Sequence, residues 1–552
     1  MKKYFWIILI GIVILAAVLR LWQLGNIPPS PDWDEVALGY NAYSIIHTGK
    51  DEFGKFLPVV LRSFDDYKPA LYSYLAIPPI LLFGLNVFAV RLPSAIFGII
   101  AVVSVYFLVK ELFRDYRYKD YLALIASFFL AISPWSLQFS RVGFESNVGG
   151  AMNILMALFF VIGLRKPWFL FLSAFFAGLS IYAYQSEKVF VPLLVLILVL
   201  IYRKYISLIK LKYLITSLLI GIVVVLPMVL FILNNRSALL RVTGTSILSS
   251  QNEILKFNII KLETDIKNND KLGFILDNRR LVYVNEFISG YISHFDINWL
   301  FFKGDIARHH APNMGLLYAF EMPLVLIGIY KLLFGNFNKK TKFFIFGWFL
   351  LAPIPASITT GVPHAVRTLN FLPIFQIFAA LGIITVWVII LNIKYQVFKI
   401  QIKYLIFSLS ILFFSFNFLY YLNQYFVQQN YFYSKDWKYG YKQAVEEVLK
   451  RQDKYKQIVI ADDKTMDQSY IFFLFYLKYP PKDYQKNNEH NPNGFVNHNF
   501  DRYTFRSIDW QKETNSKNVL YVVGPGDTPK SVSVIKIIYN LDGTIAMKIV
   551  GT

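Results

Sequence analysis

The chain has no cysteine. That excludes disulfides and thiol catalysis but leaves the compartment open. Charge is scarce, with Asp, Glu, Lys and Arg making up 16% of 552 residues. What charge there is leans one way, 56 Lys and Arg against 35 Asp and Glu, for a formal net charge of +21. No glycine-rich phosphate loop is present, which argues against nucleotide binding. No internal repeat is visible either, which argues against a transporter built from inverted halves.

Apolar residues, by contrast, are abundant. Hydrophobic residues make up 56% of the chain and aromatics 18%, with a mean hydropathy of +0.45. A soluble domain does not reach that balance. The apolar residues fall in runs of about 18–22, the length of a membrane-crossing helix. We expect a polytopic α-helical membrane protein with about eleven spans, at 4–22, 90–112, 121–138, 147–164, 168–183, 187–202, 213–233, 314–334, 343–360, 367–391 and 403–422. The first run is read as a retained span, not a cleaved signal peptide, because Arg20 and Trp22 follow it and no small-residue cleavage site does.

The net charge invites a nucleic-acid reading, but its distribution speaks for a membrane and no nucleic acid. Arg114, Arg117 and Lys119, then Arg165 and Lys166, then Arg203, Lys204, Lys210 and Lys212, then Lys339, Lys340 and Lys342, then Lys394, Lys399 and Lys403 occupy alternate short loops. They share a side with Lys2 and Lys3, and the positive-inside rule makes that side cytoplasmic. Loops 23–89 and 234–313 and the C-terminal tail are then extracytoplasmic. Richness in Lys, Ile, Asn, Phe and Tyr points to an AT-rich bacterial genome, hence a bacterial cell membrane. Residues 1–422 form the expected transmembrane catalytic domain. Residues 423–552 are polar and carry short β-like runs at 458–461, 520–523, 532–539 and 545–550, with a helix at 439–451. They read as a small extracytoplasmic α/β domain.

Two features break the pattern. Pro31-Asp32-Trp33-Asp34-Glu35 sets three carboxylates where the first span leaves the bilayer. A carboxylate desolvated near a membrane surface can serve as a general base. Asp32-Trp33-Asp34 is formally D-x-D, so a divalent ion at Asp32 and Asp34 is the alternative to no cofactor. The bland reading is a helix N-cap, Asp32 or Asp34 capping a helix over 36–48 with Tyr40 and Tyr43 on its surface. Lys68, Arg91, Arg141, Lys188 and Arg367 are the second feature, cations at external span ends where the positive-inside rule expects few. Singly, each reads as well as a snorkelling side chain. Together they fit a phosphate headgroup and its stabilisation as a leaving group. Arg308-His309-His310 raises a metal, but adjacent side chains in an extended chain diverge. Trp33, Tyr40, Tyr67 and Tyr72 are candidates for stacking on a substrate, with interfacial anchoring as the equal alternative.

An ordered series of motifs carries a family resemblance. It runs from Asp34-Glu35 through KPALYSYL (68–75), RLPSAIFG (91–98), SPWSLQFSRVGFE (133–145), YAYQSEKVFVPLL (182–194), GLLYAFEMPLVLIG (315–328) and PIPASITTGVPHAVRTLNFLP (353–373). Over roughly residues 1–425 the chain resembles the protein O-mannosyltransferase-like branch of the GT-C glycosyltransferases, which includes the aminoarabinose lipid A transferases. The resemblance implies an inverting transfer from a polyprenyl-phosphate-linked sugar to a protein, lipid or glycan acceptor on the extracytoplasmic face, without metal. It implies Asp34 as base with Glu35 beside it, and Lys68 on the carrier phosphate. Arg141 and Glu145 match a polar pair of the second external loop, and His364 and Arg367 match a P-H-x-x-R element. Lys188 stands where many relatives carry Arg, so bidentate phosphate binding is lost there. The expected site is therefore Asp34 and Glu35 for catalysis, Lys68, Arg91, Arg141 and Arg367 for donor phosphate, and Asp32, Tyr67, Glu145, Lys188 and His364 for substrate. The alternatives are a metal-dependent oligosaccharide transferase using a diphosphate carrier, and a transporter of lipid-linked glycans.

Overall fold

An apolar segment in lipid must satisfy its own backbone, and a helix does so without outside partners. The first is α1, Lys2–Leu21. A short helix follows it, α2, Trp33–Thr48, then a hairpin of β1, Val60–Ser63, and β2, Asp66–Pro69. Next come α3, Leu71–Phe83, and α4, Val87–Leu112. After them run α5, Lys119–Ile132, α6, Pro134–Ser140, and α7, Glu145–Gly163. The series continues with α8, Phe169–Ser180, α9, Glu187–Ile206, and α10, Leu211–Asn234. This is a computed structural model, and it describes residues 2–64, 66–235, 246–248, 253–392, 396–397, 400–487, 498–513, 517–526, 528–529 and 532–552. Lys394 and Lys399, expected in a cytoplasmic loop, lie outside the described residues, as does part of loop 234–313.

Among the described residues, seven helices are long and apolar enough to cross a membrane, or eight if α5 and α6 count as one span bent by 56°. The expected count was about eleven. The bend has a local cause. Pro134 begins α6 without a backbone donor, and the Ser133 hydroxyl caps the new start by accepting from Ser136 N at 3.4 Å. The other three expected spans are helical over only 12, 14 and 13 residues, at α8, Glu321–Phe334 and Lys339–Leu351. Helices that short reach about 18–21 Å, below the roughly 30 Å of a hydrocarbon core. Turns take up the rest of those runs, and the stretch from Ala352 to Arg367 carries Pro353, Pro355 and Pro363. Irregular backbone at that depth is tolerated where protein buries it, and Ala356, Ala365, Val366 and Phe371 are all buried.

Close packing marks the helix pair Glu321–Phe334 and Ile374–Leu391. A Cβ on Gly328 would lie 1.9 Å from the Phe378 carbonyl oxygen, and one on Gly382 would lie 2.0 Å from that of Leu324. The two glycines let the backbones meet, as small residues do between helices in lipid.

At one end of the bundle, α2 is held between two bodies. Gly39 makes this possible, since a Cβ there would meet Val90 at 2.5 Å and Phe475 at 2.9 Å. One side of α2 thus faces α4 and the other faces helix Ser469–Leu477 of the C-terminal region. Tyr40, expected on the surface, is fully buried there and donates to the Tyr479 carbonyl at 3.0 Å. Gln485 adds hydrogen bonds to Ser44 and Thr48 at 3.0 and 3.1 Å.

The C-terminal region carries a five-stranded sheet. Its order is Tyr503–Arg506, Gln457–Ala461, Val519–Val523, Ile545–Gly551, Ser533–Tyr539, with the first three parallel and the last two antiparallel additions. The four expected β-like runs are all strands. Tyr503–Arg506 and the helix Ser469–Leu477 were not anticipated. That helix is SYIFFLFYL, apolar on every side, and periodicity cannot distinguish such a run from a buried strand.

Candidate active site

The acidic loop folds as the start of α2. The Asp32 carboxylate accepts from Glu35 N at 2.9 Å, and Asp32 N donates to Glu35 Oε2 at 3.3 Å. This capping box satisfies two orphan donors of the helix start. Asp32 is therefore the cap, and the helix begins three residues before its expected start. Successive helix residues point about 100° apart. Asp34 and Glu35, neighbours in sequence, consequently face different surroundings.

Glu35 faces inward. Both oxygens meet Arg91, Oε1 with Nε at 2.8 Å and Oε2 with Nη2 at 3.0 Å. Gly143 N donates to Oε1 at 2.8 Å as well. The remaining guanidinium donors reach the carbonyls of Leu24, Pro28 and Ser30 at 2.9–3.1 Å. Arg91 and Glu35 are both buried and both fully bonded. A guanidinium has five donors, and all are engaged, so Arg91 is not available to a phosphate and Glu35 is not placed to take a proton.

Arg141 is corrected in the same way. It is buried, and it donates to Leu19 O at 2.6 Å, Trp22 O at 2.7 Å and Ile27 O at 3.1 Å, with its guanidinium 4.8 Å from the Phe426 ring centroid. It fastens the exit of α1. Arg91 and Arg141, expected on the donor phosphate, instead hold the loop that carries the acids. Tyr72 is also buried, its hydroxyl on the Val90 carbonyl at 2.9 Å. Neither Tyr72 nor Tyr40 can stack on a sugar.

Asp34 faces outward, into a cavity of about 160 Å³. Lys68, at the end of the β1–β2 hairpin, forms an ion pair with it. Glu145, Gln185, Arg308, His309, His364 and Arg367 complete the polar wall. The cleft thus gathers Asp34, Lys68, Glu145, His364 and Arg367 of the expected residues. Arg367 is anchored by Thr359 Oγ1 at 2.5 Å and Thr360 O at 2.8 Å. Two others support it from behind. Lys188 donates to Gln185 Oε1 at 2.6 Å, and Gln185 donates to the Tyr67 carbonyl at 2.7 Å.

Asp32 is fully buried and meets Arg308 at 2.7 Å. Burial pushes its carboxyl up to about 6, against the pull of Arg308. With Asp32 bound to Arg308 and Asp34 to Lys68, the D-x-D pair is occupied by cations, which does not fit a metal held at Asp32 and Asp34. A different set does fit. Ligand atoms of Asp305, His309 and His364 lie within 4.8 Å of one another. Asp305 Oδ2 is 3.1 Å from His309 Nδ1 and accepts from Ala365 N at 2.6 Å. Nδ1 of His364 is buried without a hydrogen-bond partner. Burial lowers both imidazoles, His364 to about 3, so they are neutral and able to ligate. Burial alone would raise Asp305, but the His309 hydrogen bond and charge hold it at about 2. His309 and His310 do diverge, as adjacent side chains should. His310 turns away to the Ile306 carbonyl and Tyr433.

Arg308 is the site residue that sequence reasoning placed least well. It bridges Asp32 and the Trp33 ring, whose centroid is 4.5 Å from the guanidinium. Its signal was only that of one more cation on an external loop. Asp305 had a better one, a carboxylate four residues before a histidine.

Comparison with known proteins places this geometry. Residues 67–231 match the family model described as dolichyl-phosphate-mannose-protein mannosyltransferase. That stretch includes Lys68, Glu145 and Gln185 but not Asp34. No curated protein sequence matches the chain. Among solved structures, apo ArnT from Cupriavidus metallidurans superposes with a TM-score of 0.54 at 10% identity, over 100% of this chain and 98% of that one. ArnT bound to undecaprenyl phosphate gives 0.54 at 10% identity, over 98% and 97%. The oligosaccharyltransferase AglB from Archaeoglobus fulgidus, in complex with an inhibitory peptide and a dolichol-phosphate, gives 0.51 at 13% identity. The chain spans 64% of the length of that archaeal enzyme, with 86% of its own residues aligned. At these identities the structural likeness establishes the fold.

The two neighbouring acids should separate experimentally. Glu35→Gln breaks a buried charged pair and should cost about 3–5 kcal/mol of stability, read as a lowered Tm of the detergent-purified protein. Asp34→Asn should leave Tm nearly unchanged.

Proposed function

We propose that the chain is a membrane glycosyltransferase of the GT-C, protein O-mannosyltransferase-like family that moves a sugar from a polyprenyl-phosphate carrier to an acceptor hydroxyl on the extracytoplasmic face of a bacterial cell membrane, with Asp34 as general base. The observation that carries this reading is the cleft in which Asp34 and Lys68 pair beside Arg367. It sets Asp34 against Lys68 and Arg367 within a single cavity, with Glu145 and Arg308 also on its wall.

In this mechanism the carrier phosphate enters between Lys68 and Arg367 and draws Lys68 away from Asp34. Asp34 then accepts the proton of the acceptor hydroxyl. The acceptor oxygen bonds to the anomeric carbon as the bond from that carbon to the phosphate oxygen breaks. The electron pair leaves on the phosphate, where Lys68 and Arg367 stabilise it. Attack opposite the leaving group inverts the anomeric centre. ArnT has been captured with undecaprenyl phosphate and AglB with a dolichol-phosphate, which supports a carrier of this class here.

The carrier's tail also has a place to lie. A cavity of about 450 Å³ between α7, α8, α9 and α10 is lined by residues such as Phe160, Ile181, Val191 and Val225. Its outer end reaches the 181–191 turn, which also supplies Tyr184 and Gln185 to the cleft. An apolar groove opening at a cationic headgroup site suits a polyprenyl phosphate.

One observation favours a second reading, a metal-dependent transfer from a diphosphate carrier. The Asp305, His309 and His364 set beside the cleft would hold a divalent ion and let it neutralise phosphate charge. The first reading expects chelation to leave turnover intact. Loss of turnover with EDTA, together with bound metal that disappears in His309→Ala, decides for the second.

Two variants test the first reading. Asp34→Asn should lower transfer about 10²–10⁴-fold while native mass spectrometry still finds the carrier. Lys68→Ala should weaken carrier retention about ten-fold or more. Near-normal turnover in Asp34→Asn removes it as the base.

A further inference from the structure

A second and larger cavity lies on the far side of Arg308. It holds about 430 Å³, a size that takes a mono- or disaccharide. Ile306 and Arg308 line both this cavity and the Asp34 cleft, so the two are neighbours across one short loop. Its other walls come from the C-terminal region, whose role the transfer reaction does not explain.

The lining is basic. Arg308, Lys435, Lys438 and Lys464 face one acid, Asp436. Two of the cations are gathered on one aromatic ring. The Arg308 guanidinium stands 4.5 Å and Lys438 Nζ 4.6 Å from the Trp33 centroid. Lys438 is held there by unusual means. Its backbone is left-handed, with φ of 53°, a conformation that costs a lysine stability and is usually retained for a purpose. Burial, and then the charge of Arg308, push its ammonium down from the ordinary lysine range. Bringing like charges together in a half-dry cavity is unfavourable. A bound anion reverses that sign through charge-assisted hydrogen bonds. Both cations stand over the Trp33 ring, which holds them at the cavity wall.

The carrier lipid is a poor occupant. Its phosphate has Lys68 and Arg367, and its tail has the apolar groove between α7 and α10, on another part of the molecule.

We propose that this cavity is the acceptor site and that it selects an acceptor bearing an acidic saccharide unit, phosphorylated or carboxylated, held by Lys435, Lys438 and Lys464. The proposal rests on the reading of the Asp34 cleft as the transfer site. It gives the C-terminal region a task, which is to choose the acceptor by charge.

Saturation-transfer NMR on the full-length detergent-purified protein tests it, since that method reads weak sugar binding. The probes are glucose 1-phosphate, glucuronate and, as a neutral control, glucose. Saturation of the ring protons of either acidic sugar but not of glucose is expected. The effect should weaken about ten-fold in Lys435→Gln/Lys464→Gln, two exposed positions whose change leaves the core alone. The better of the two acidic probes tells phosphate from carboxylate. Equal transfer to glucose, no transfer to any probe, or full binding in the double variant overturns the proposal. So does loss of acidic-sugar binding in Lys68→Ala alone, which would put the anion in the cleft. Native mass spectrometry on the same samples keeps the two readings apart. Carrier retained with no acidic-sugar binding overturns only the acceptor site, whereas acidic-sugar binding with no carrier in the wild type overturns only the donor reading.

Discussion

The structure depends on the buried pair of Glu35 and Arg91. A bidentate carboxylate–guanidinium contact fixes two side chains in one plane, and here it joins the start of α2 to α4 in the bundle. The other donors of Arg91 collect the carbonyls of Leu24, Pro28 and Ser30, which are the path of the chain out of α1. Gly143 N closes the set from the turn before α7. A Cβ at Gly143 would stand 3.2 Å from Glu35 Cγ, so this turn can come close only because it lacks a side chain. Three stretches of the chain, residues 24–35, α4 and the turn before α7, meet on one ion pair. Removing either partner would leave the other charged and dry, which is why the pair acts as a constraint and not as a source of net stability.

That constraint orients the neighbouring Asp34. With Glu35 turned inward and Asp32 committed to the cap and to Arg308, Asp34 is left directed at the cleft. Three carboxylates in four residues would repel one another if they shared one space. The helix separates them, and each meets a different cation, Arg308, Lys68 or Arg91. A buried network with this much charge is stable only when every member is satisfied. The result is a site with fixed polarity, acid on α2 and cations from the hairpin and from the 364–367 turn.

The same helix links the bundle to the C-terminal region. Gly39 admits Val90 on one side and Phe475 on the other, and Tyr40 is sealed beneath the contact. A rigid connection of this kind matters if the region selects acceptors. Its basic cavity then keeps a fixed distance from Asp34 instead of swinging on a linker. The short loop with Ile306 and Arg308 forms the shared wall, so binding on one side is felt by charges on the other.

Much of this protein was legible in its sequence. Apolar runs determined a polytopic helical protein, because backbone in lipid has few other solutions. Three of the misplaced cations, Lys68, Lys188 and Arg367, do gather in or beside one cleft, and the ordered motifs pointed to a family whose model matches residues 67–231. Strands with clear β-branched runs, such as Val519–Val523, were also readable. What the sequence did not decide is which member of each charged set does which job. Lys68 and Arg91 look alike as cations at a span end. One lines a cleft and the other is buried with every donor engaged, and only the positions of Leu24, Pro28, Ser30 and Glu35 in space make the difference. Asp34 and Glu35 are adjacent, and their roles separate through a 100° rotation that has meaning only once the bundle and the cleft surround the helix. Asp305, His309 and His364 converge across a sequence gap that no local spacing reveals. Helix length was not readable for a related reason. Hydropathy records that a segment is apolar, but the turns between 358 and 368 can be buried by neighbouring protein without being helical. Local composition determines what a segment can be, and long-range packing decides which partners its side chains find.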